Sequence, residues 1–131
     1  MCAIVMLAID TNVLVRLLVR DDPEQALAAD QAVAKGAWVS HLVLTEAVWV
    51  LDAVYARTSS QLMAALDVLL VHDSLVLQDA DTVSAALGQF RAKPALGFSD
   101  CLVLEIARKA GYLPLATFDK TLAKLAGAQQ L

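Results

Sequence analysis

A continuous apolar run near the start of the chain constrains the fold more than any other feature. The residues from Ala3 to Ile9 are all apolar, and the run stops at Asp10. Strands that are covered on both faces have such uninterrupted sequences rich in β-branched residues, whereas strands with one wet face alternate. The segment from Ile4 to Ile9 is therefore predicted to be a strand of a parallel sheet that carries helices on both faces.

The rest of the chain alternates between strand and helix signals. Further strands are predicted at 37–40, 75–78 and 113–118, and helices at 12–19, 23–35, 42–56, 61–71, 79–91 and 99–110, with a short helix closing the chain. This order predicts an α/β fold with a parallel sheet. We expect one domain over residues 1–131, since 131 residues is an ordinary length for a single domain.

Composition excludes several classes of protein. The net charge is −4, so overall charge does not hold nucleic acid, and a local patch or bound cations would have to do so. Cys2 and Cys101 form no metal-binding pattern, and a reducing cytoplasm is expected. The opening run is too short to span a bilayer and lacks the features of a signal peptide, so no membrane association is expected. The hydrophobic content of 59% suggests that a partner covers some apolar surface, although an Ala- and Leu-rich core is the alternative.

Two acidic residues directly follow predicted strands. Asp10 ends the first strand, and Asp119 ends the strand that finishes with Thr117 and Phe118. Ligands of open α/β sheets bind beyond the carboxyl ends of the strands, so both residues are candidate metal ligands. Each also has a second interpretation as a helix cap, which is worth about 1 kcal/mol.

Two more acidic residues fall on apolar helix faces. Glu46 is predicted to share a face with Leu42 and Trp49, and a carboxylate buried there would need a cation or a hydrogen-bond network. The alternative is a helix that is apolar nearly all round, with Glu46 on its exposed edge. Asp100 lies in the first turn of its helix on an apolar face, where either the helix dipole or a metal ion would compensate its charge.

A cluster of these four carboxylates would need positive charge. Two carboxylates about 4 Å apart repel each other by roughly 4 kcal/mol at an effective dielectric constant near 20. Mg²⁺ and Mn²⁺ prefer oxygen ligands, and two such ions would cancel four negative charges. A pair of divalent ions also serves phosphodiester hydrolysis, because it activates water and stabilises the leaving oxygen.

Four segments together resemble the PIN-domain (PilT N-terminus) ribonucleases, most closely the VapC-type toxins of bacterial toxin–antitoxin pairs. The segments are AIDTNVLVRLLVRDDPEQ, LTEAVWVL, GFSDCLVLEIARKAG and LATFDK, and they occur in the order that the family has. The resemblance implies a single three-layer α/β/α sandwich with a central parallel sheet of four to five strands. Because the chain stops soon after its last predicted helix, the edge strand common in the family is expected to be short or missing.

The resemblance also implies a metal-dependent endoribonuclease that hydrolyses RNA phosphodiester bonds and leaves 5′-phosphate and 3′-hydroxyl ends. It makes Asp10, Glu46, Asp100 and Asp119 the ligands of one or two Mg²⁺ or Mn²⁺ ions, and it gives Asn12 and Thr117 supporting roles as hydrogen-bonding residues that orient the ligands. The implied partners are RNA, a cognate antitoxin protein and a second copy of the chain in a homodimer.

Two other functions are compatible with parts of the sequence. A non-catalytic PIN-like module would bind RNA or a partner without turnover, and the intact set of four acids argues against it. A phosphoacceptor receiver domain has a similar length and acids at strand ends. It would need paired acids after the first strand, where this chain has Asp10 followed by Thr11 and Asn12.

Overall fold

The structure of the protein is a computed structural model that describes residues 6–131, so the beginning of the predicted opening strand lies outside the described residues. The chain divides into two compact units, Met1–Gln78 and Asp79–Leu131. Across the described residues, helices dominate and short strands pair in parallel, which confirms the predicted α/β class. No helix within residues 6–131 is long and apolar enough to cross a membrane.

The described part of the first unit combines a parallel sheet with helices. Its elements are β1 (Leu7–Ala8), α1 (Thr11–Val19), α2 (Pro23–Val33), β2 (Ala37–Val39), α3 (His41–Ala53), α4 (Ser59–Val71) and β3 (Leu75–Leu77). The three strands lie in the order β1-β2-β3, and Trp38 of β2 pairs with Ala8 on one side and Val76 on the other. Parallel pairing in sequence order is what strand–helix–strand connections produce.

Local signals define the ends of helix α2. The Asp22 side chain accepts a hydrogen bond from the backbone N–H of Gln25 at 3.1 Å, and Pro23 occupies the first turn, as predicted. The helix ends at Val33, two residues before the predicted Lys35. Gly36 then takes a φ of 103°, a left-handed conformation that glycine adopts without steric cost, and the chain enters β2.

The second unit combines two packed helices with a pair of strands. Its elements are α5 (Ala80–Ala92), a 3₁₀ turn at Pro94–Leu96, α6 (Phe98–Ala110), β4 (Leu115–Thr117), a second 3₁₀ turn at Leu122–Lys124 and β5 (Ala128–Gln130). The rings of Phe90 and Phe98 lie 6.4 Å apart, and both side chains are buried. The predicted closing helix is thus a 3₁₀ turn, and the edge strand is present but has three residues.

An ion pair fixes the approach to β5. Glu105 is buried, and the Arg108 Nε donates to its two carboxylate oxygens at 3.2 and 3.3 Å. The Nη2 of the same guanidinium donates to the carbonyl oxygen of Ala126 at 2.6 Å. Arg108 therefore satisfies a buried carboxylate and holds the segment that leads into the last strand.

Candidate active site

Asp10 lies where β1 gives way to α1. Its backbone is extended, and its Oδ1 accepts a hydrogen bond from the N–H of Val13 at 3.1 Å. The interpretation of Asp10 as a helix cap is therefore confirmed. The cap uses one carboxylate oxygen of an exposed side chain, and a carboxylate has about four lone-pair positions, so this role is compatible with metal binding.

The prediction that Glu46 lies on a buried face of α3 is wrong, because that face is exposed. The side chain is exposed, and so are the apolar residues that share its face, with Leu42 69% and Trp49 66% exposed. The buried stripe of α3 consists of Leu44, Ala47 and Leu51. Because the helix is apolar nearly all round, spacing along the sequence did not identify the face that packs inward.

The Glu46 carboxylate is nevertheless held by a specific contact. The hydroxyl of Thr11, the first residue of α1, donates a hydrogen bond to Glu46 Oε2 at 2.6 Å. The two residues are 35 positions apart in the chain. Sequence reasoning missed Thr11, because nothing in a local pattern shows that a hydroxyl at the start of one helix reaches the middle of another.

Asn12 lies beside Asp10 on a groove of the first unit. The groove has a volume of about 430 Å³, and its walls include Arg16, Gln25 and a row of alanines from α2. The Arg16 Nε donates to Gln25 Oε1 at 2.5 Å, so its guanidinium is already engaged within the groove. The position of Asn12 next to Asp10 supports its predicted role, which remains a prediction.

Asp100 lies in the first turn of α6, and its side chain is partly buried. Burial raises the pKa of this carboxyl above its ordinary value, and the neighbouring negative charge of Asp119 raises the pKa further. Both effects disfavour the ionised form, so a nearby cation would stabilise the charged carboxylate.

Asp119 is exposed and follows β4. Its Oδ1 accepts hydrogen bonds from the N–H groups of Thr121 and Leu122, both at 2.8 Å, which confirms its interpretation as a capping residue. The N–H of Asp119 in turn donates to the hydroxyl of Thr117 at 3.0 Å. Thr117 therefore fixes the backbone of Asp119, which supports the orienting role predicted for it.

Each unit holds two of the acidic residues. In the first unit, the hydroxyl of Thr11, which directly follows Asp10, donates a hydrogen bond to the Glu46 carboxylate. In the second unit, the charge of Asp119 acts on Asp100. Among residues 6–131, no group of three or more His, Cys, Asp or Glu side chains is arranged to hold a metal ion. The gathering of all four acids at one metal site stays a prediction.

Comparison with known families assigns the chain to a protein family. The sequence matches the family described as the PIN domain over residues 7–128, a range that includes all four acidic residues. No curated protein shows significant similarity to the chain. PIN domains are generally nucleases that use divalent metal ions, bind RNA and often pair with antitoxins, which supports a ribonuclease-type function. With its parallel strands and its match over nearly the whole length, the chain belongs to the PIN-domain family.

Proposed function

We propose that this PIN-domain protein is a metal-dependent endoribonuclease that hydrolyses RNA phosphodiester bonds and acts as the toxin of a toxin–antitoxin pair. The observation that carries the proposal is the PIN-domain match over residues 7–128, a range that contains Asp10, Glu46, Asp100 and Asp119. In this proposal the single catalytic domain comprises residues 1–131 and works in the cytoplasm.

The donor set fits a hard divalent cation. Carboxylate oxygens are the ligands that Mg²⁺ and Mn²⁺ prefer. In the second unit, the raised pKa of Asp100 reflects burial and repulsion from Asp119, and a cation would relieve both effects. When bound, one or two such ions supply charge neutralisation and the activation of water for attack on phosphorus.

The residues of the chain have two different roles in this proposal, metal binding and orientation of the ligands. The four acids would hold the ions, and the capping bonds of Asp10 and Asp119 fix these carboxylates relative to the backbone of their own units. Asn12 and Thr117 orient the ligands, since residues that hydrogen-bond to ligands hold them in the geometry that the ions require. An acidic chain repels RNA phosphates unless bound ions neutralise its carboxylates. Binding of the ions and binding of the substrate would therefore be interdependent.

Cleavage of RNA by the purified protein tests the proposal directly. We expect cleavage in Mg²⁺ or Mn²⁺, its loss on addition of EDTA, and its recovery when the ion is restored in excess. Asp10→Asn and Glu46→Gln should each abolish cleavage while the far-ultraviolet circular dichroism spectrum stays unchanged. Glu24→Gln and Asp52→Asn are the matched controls, because both replace exposed helix carboxylates outside the set of four.

Each outcome tests one part of the proposal, either the role of a single residue or the need for a divalent ion. Undiminished cleavage by Asp10→Asn or by Glu46→Gln would remove that residue from the catalytic set. Full activity of the wild-type protein in EDTA would remove the divalent ion from the mechanism.

The proposed toxin role has its own test. Expression of the protein should arrest growth of a host, and coexpression of a small antitoxin encoded next to it should restore growth. Large exposed apolar side chains on α3, among them Leu42 and Trp49, support the presence of a protein partner, either the antitoxin or the second subunit of a homodimer. Growth that continues during expression of active, folded protein would contradict the toxin assignment.

A non-catalytic PIN-like module that binds RNA or a partner is the second candidate. It is favoured by the finding that, within the described 126 positions from 6 to 131, no three acidic, histidine or cysteine side chains are arranged around a possible ion. Saturable Mn²⁺ binding without turnover of any RNA would support this candidate over the nuclease.

A further inference from the structure

The hydrogen bond between Thr11 and Glu46 joins two elements of the first unit at a functional position. Thr11 is the first residue of α1 and directly follows Asp10, whereas Glu46 lies in the middle of α3. The Thr11 Oγ1 donates to Glu46 Oε2 at 2.6 Å, a distance within the range of hydroxyl hydrogen bonds. The contact is thus a specific hydrogen bond between two helices.

Glu46 needs such a contact to have a defined position. Its side chain is exposed and has three rotatable bonds, and among the described residues neither Leu42 nor Trp49 on the same face hydrogen-bonds to the carboxylate. Without a partner, a side chain of this kind samples many rotamers. Thr11 is itself well positioned, because β-branching restricts its side chain and because the cap formed by Asp10 fixes the start of α1.

We propose that Thr11 is a positioning residue that holds the Glu46 carboxylate beside the Asp10 end of β1, ready to bind a divalent cation. This inference rests on the proposed nuclease function. The hydrogen bond occupies one acceptor position on Oε2, and the carboxylate keeps further acceptor positions for a metal ion. Asn12 and Thr117 were the supporting residues expected from the sequence, and Thr11 adds a third that acts on a different acid.

A purely structural role for Thr11 makes a different prediction. Helices α1 and α3 pack through buried side chains that include Leu14, Val15, Leu44 and Leu51, and an exposed hydrogen bond adds little to such a contact. A structural tether would therefore change the melting temperature slightly and leave metal affinity unchanged. A positioning residue changes metal affinity in a protein that remains folded.

The experiment compares three variants of the full chain. Thr11→Val keeps the shape of the side chain but removes the hydroxyl, and Thr11→Ser keeps the hydroxyl. Thr45→Val is the matched control, because Thr45 directly precedes Glu46 on α3 and its hydroxyl bonds to the carbonyl oxygens of His41 and Leu42. Mn²⁺ binding is measured by calorimetry without RNA, and the rotamer averaging of Glu46 is measured by NMR couplings in the metal-free protein.

We expect Thr11→Val to weaken Mn²⁺ binding by about 10-fold, the low end of what loss of a ligand-orienting hydrogen bond causes. The same variant should increase the rotamer averaging of Glu46. Thr11→Ser should restore both properties, and Thr45→Val should leave both at the wild-type values. Unchanged rotamer averaging or unchanged Mn²⁺ affinity in Thr11→Val would overturn the positioning role while wild-type cleavage still supported the nuclease. Absence of Mn²⁺ binding by the folded wild-type protein would overturn the proposed function and the positioning role together.

Discussion

At the scale of single residues, Asp100 lies in an environment that disfavours its ionised form. Its carboxyl is partly buried and lies near another negative charge, and both effects raise its pKa. An acid with a raised pKa in the folded state destabilises the fold at every pH where it is ionised. Such an unfavourable environment is common at functional sites, because carboxylates there are selected for their function rather than for their contribution to stability.

We therefore expect Asp100→Asn to stabilise the metal-free protein at neutral pH. The penalty for the ionised Asp100 is fully present above its folded-state pKa and declines as the pH falls from that value to the lower pKa of the unfolded state, so the gain should shrink on acidification. Urea unfolding at pH 7 and at lower pH measures the difference. Asp81→Asn is the control, since Asp81 is an exposed acid in the first turn of α5. A loss of stability in Asp100→Asn at neutral pH would contradict the burial argument.

Cys101 gives a second prediction at this scale. Burial, together with the negative charges of Asp100 and Glu105, raises the pKa of its thiol to about 11. Roughly one thiol in a thousand is then ionised at pH 8, and only the thiolate reacts readily. In a Cys2→Ser background, we expect slow modification of native protein by a thiol reagent such as DTNB and fast modification in denaturant. Equally fast labelling of the native protein would show that the thiol is accessible and ionised.

At the scale of elements, helix starts follow local sequence closely. Thr58 begins α4 with a reciprocal pair of bonds, in which the N–H of Gln61 donates to the Thr58 hydroxyl at 3.2 Å and the N–H of Thr58 donates to Gln61 Oε1 at 2.8 Å. The sequence predicted this helix from residue 61, two residues after the observed start at Ser59. The prediction is close because a capping box involves residues only three positions apart.

Replacement of Thr58 by alanine tests the strength of this cap. We expect Thr58→Ala to lower the free energy of unfolding by about 1 kcal/mol, because the N–H of Gln61 loses its acceptor. Ser59→Ala is the neighbouring control, since Ser59 lies inside the first turn, where alanine is favourable. Chemical denaturation of both variants provides the measurement. Equal stabilities of the two variants would mean that solvent replaces the cap at no cost.

At the scale of the whole molecule, apolar residues are divided sharply between buried and exposed positions. Phe90 is 1% exposed and packs with Phe98 in the second unit, whereas Trp49 is 66% exposed on α3. The high hydrophobic content of 59% therefore reflects both an aliphatic core and apolar side chains left at the surface. The sequence left these two explanations open, and the burial of individual residues supports both.

This division predicts unequal costs of truncating two aromatic residues. Phe90→Ala should lower the free energy of unfolding by about 3–5 kcal/mol, since it leaves a cavity among buried side chains. Trp49→Ala should change it by less than about 0.5 kcal/mol in dilute protein, because an exposed side chain loses few contacts. Thermal or chemical unfolding at low protein concentration compares them. A large cost for Trp49→Ala that grows with protein concentration would show that this face is covered in a dimer.

Local sequence was enough to find most elements and the family. Strand cores, the caps at Asp22 and Thr58, and the capping roles of Asp10 and Asp119 depend on residues within four positions of one another. Short-range hydrogen bonds and hydrophobic periodicity therefore predict them well. Element ends were less accurate, as in α2 and in the closing segment, where β5 pairs with β4 after a single 3₁₀ turn.

The sequence by itself determined the α/β class, the parallel strands and the PIN-domain family, and it gave four acids as candidate ligands, because each of these depends on neighbouring residues or on the order of short segments. The tertiary structure alone decided that the face of α3 around Glu46 points to solvent and that Thr11 holds its carboxylate across 35 positions of chain. It also decided that the negative charge of Asp119 raises the pKa of Asp100. These relations depend on how helices and strands pack, and packing joins residues whose separation along the chain carries no signal of their contact.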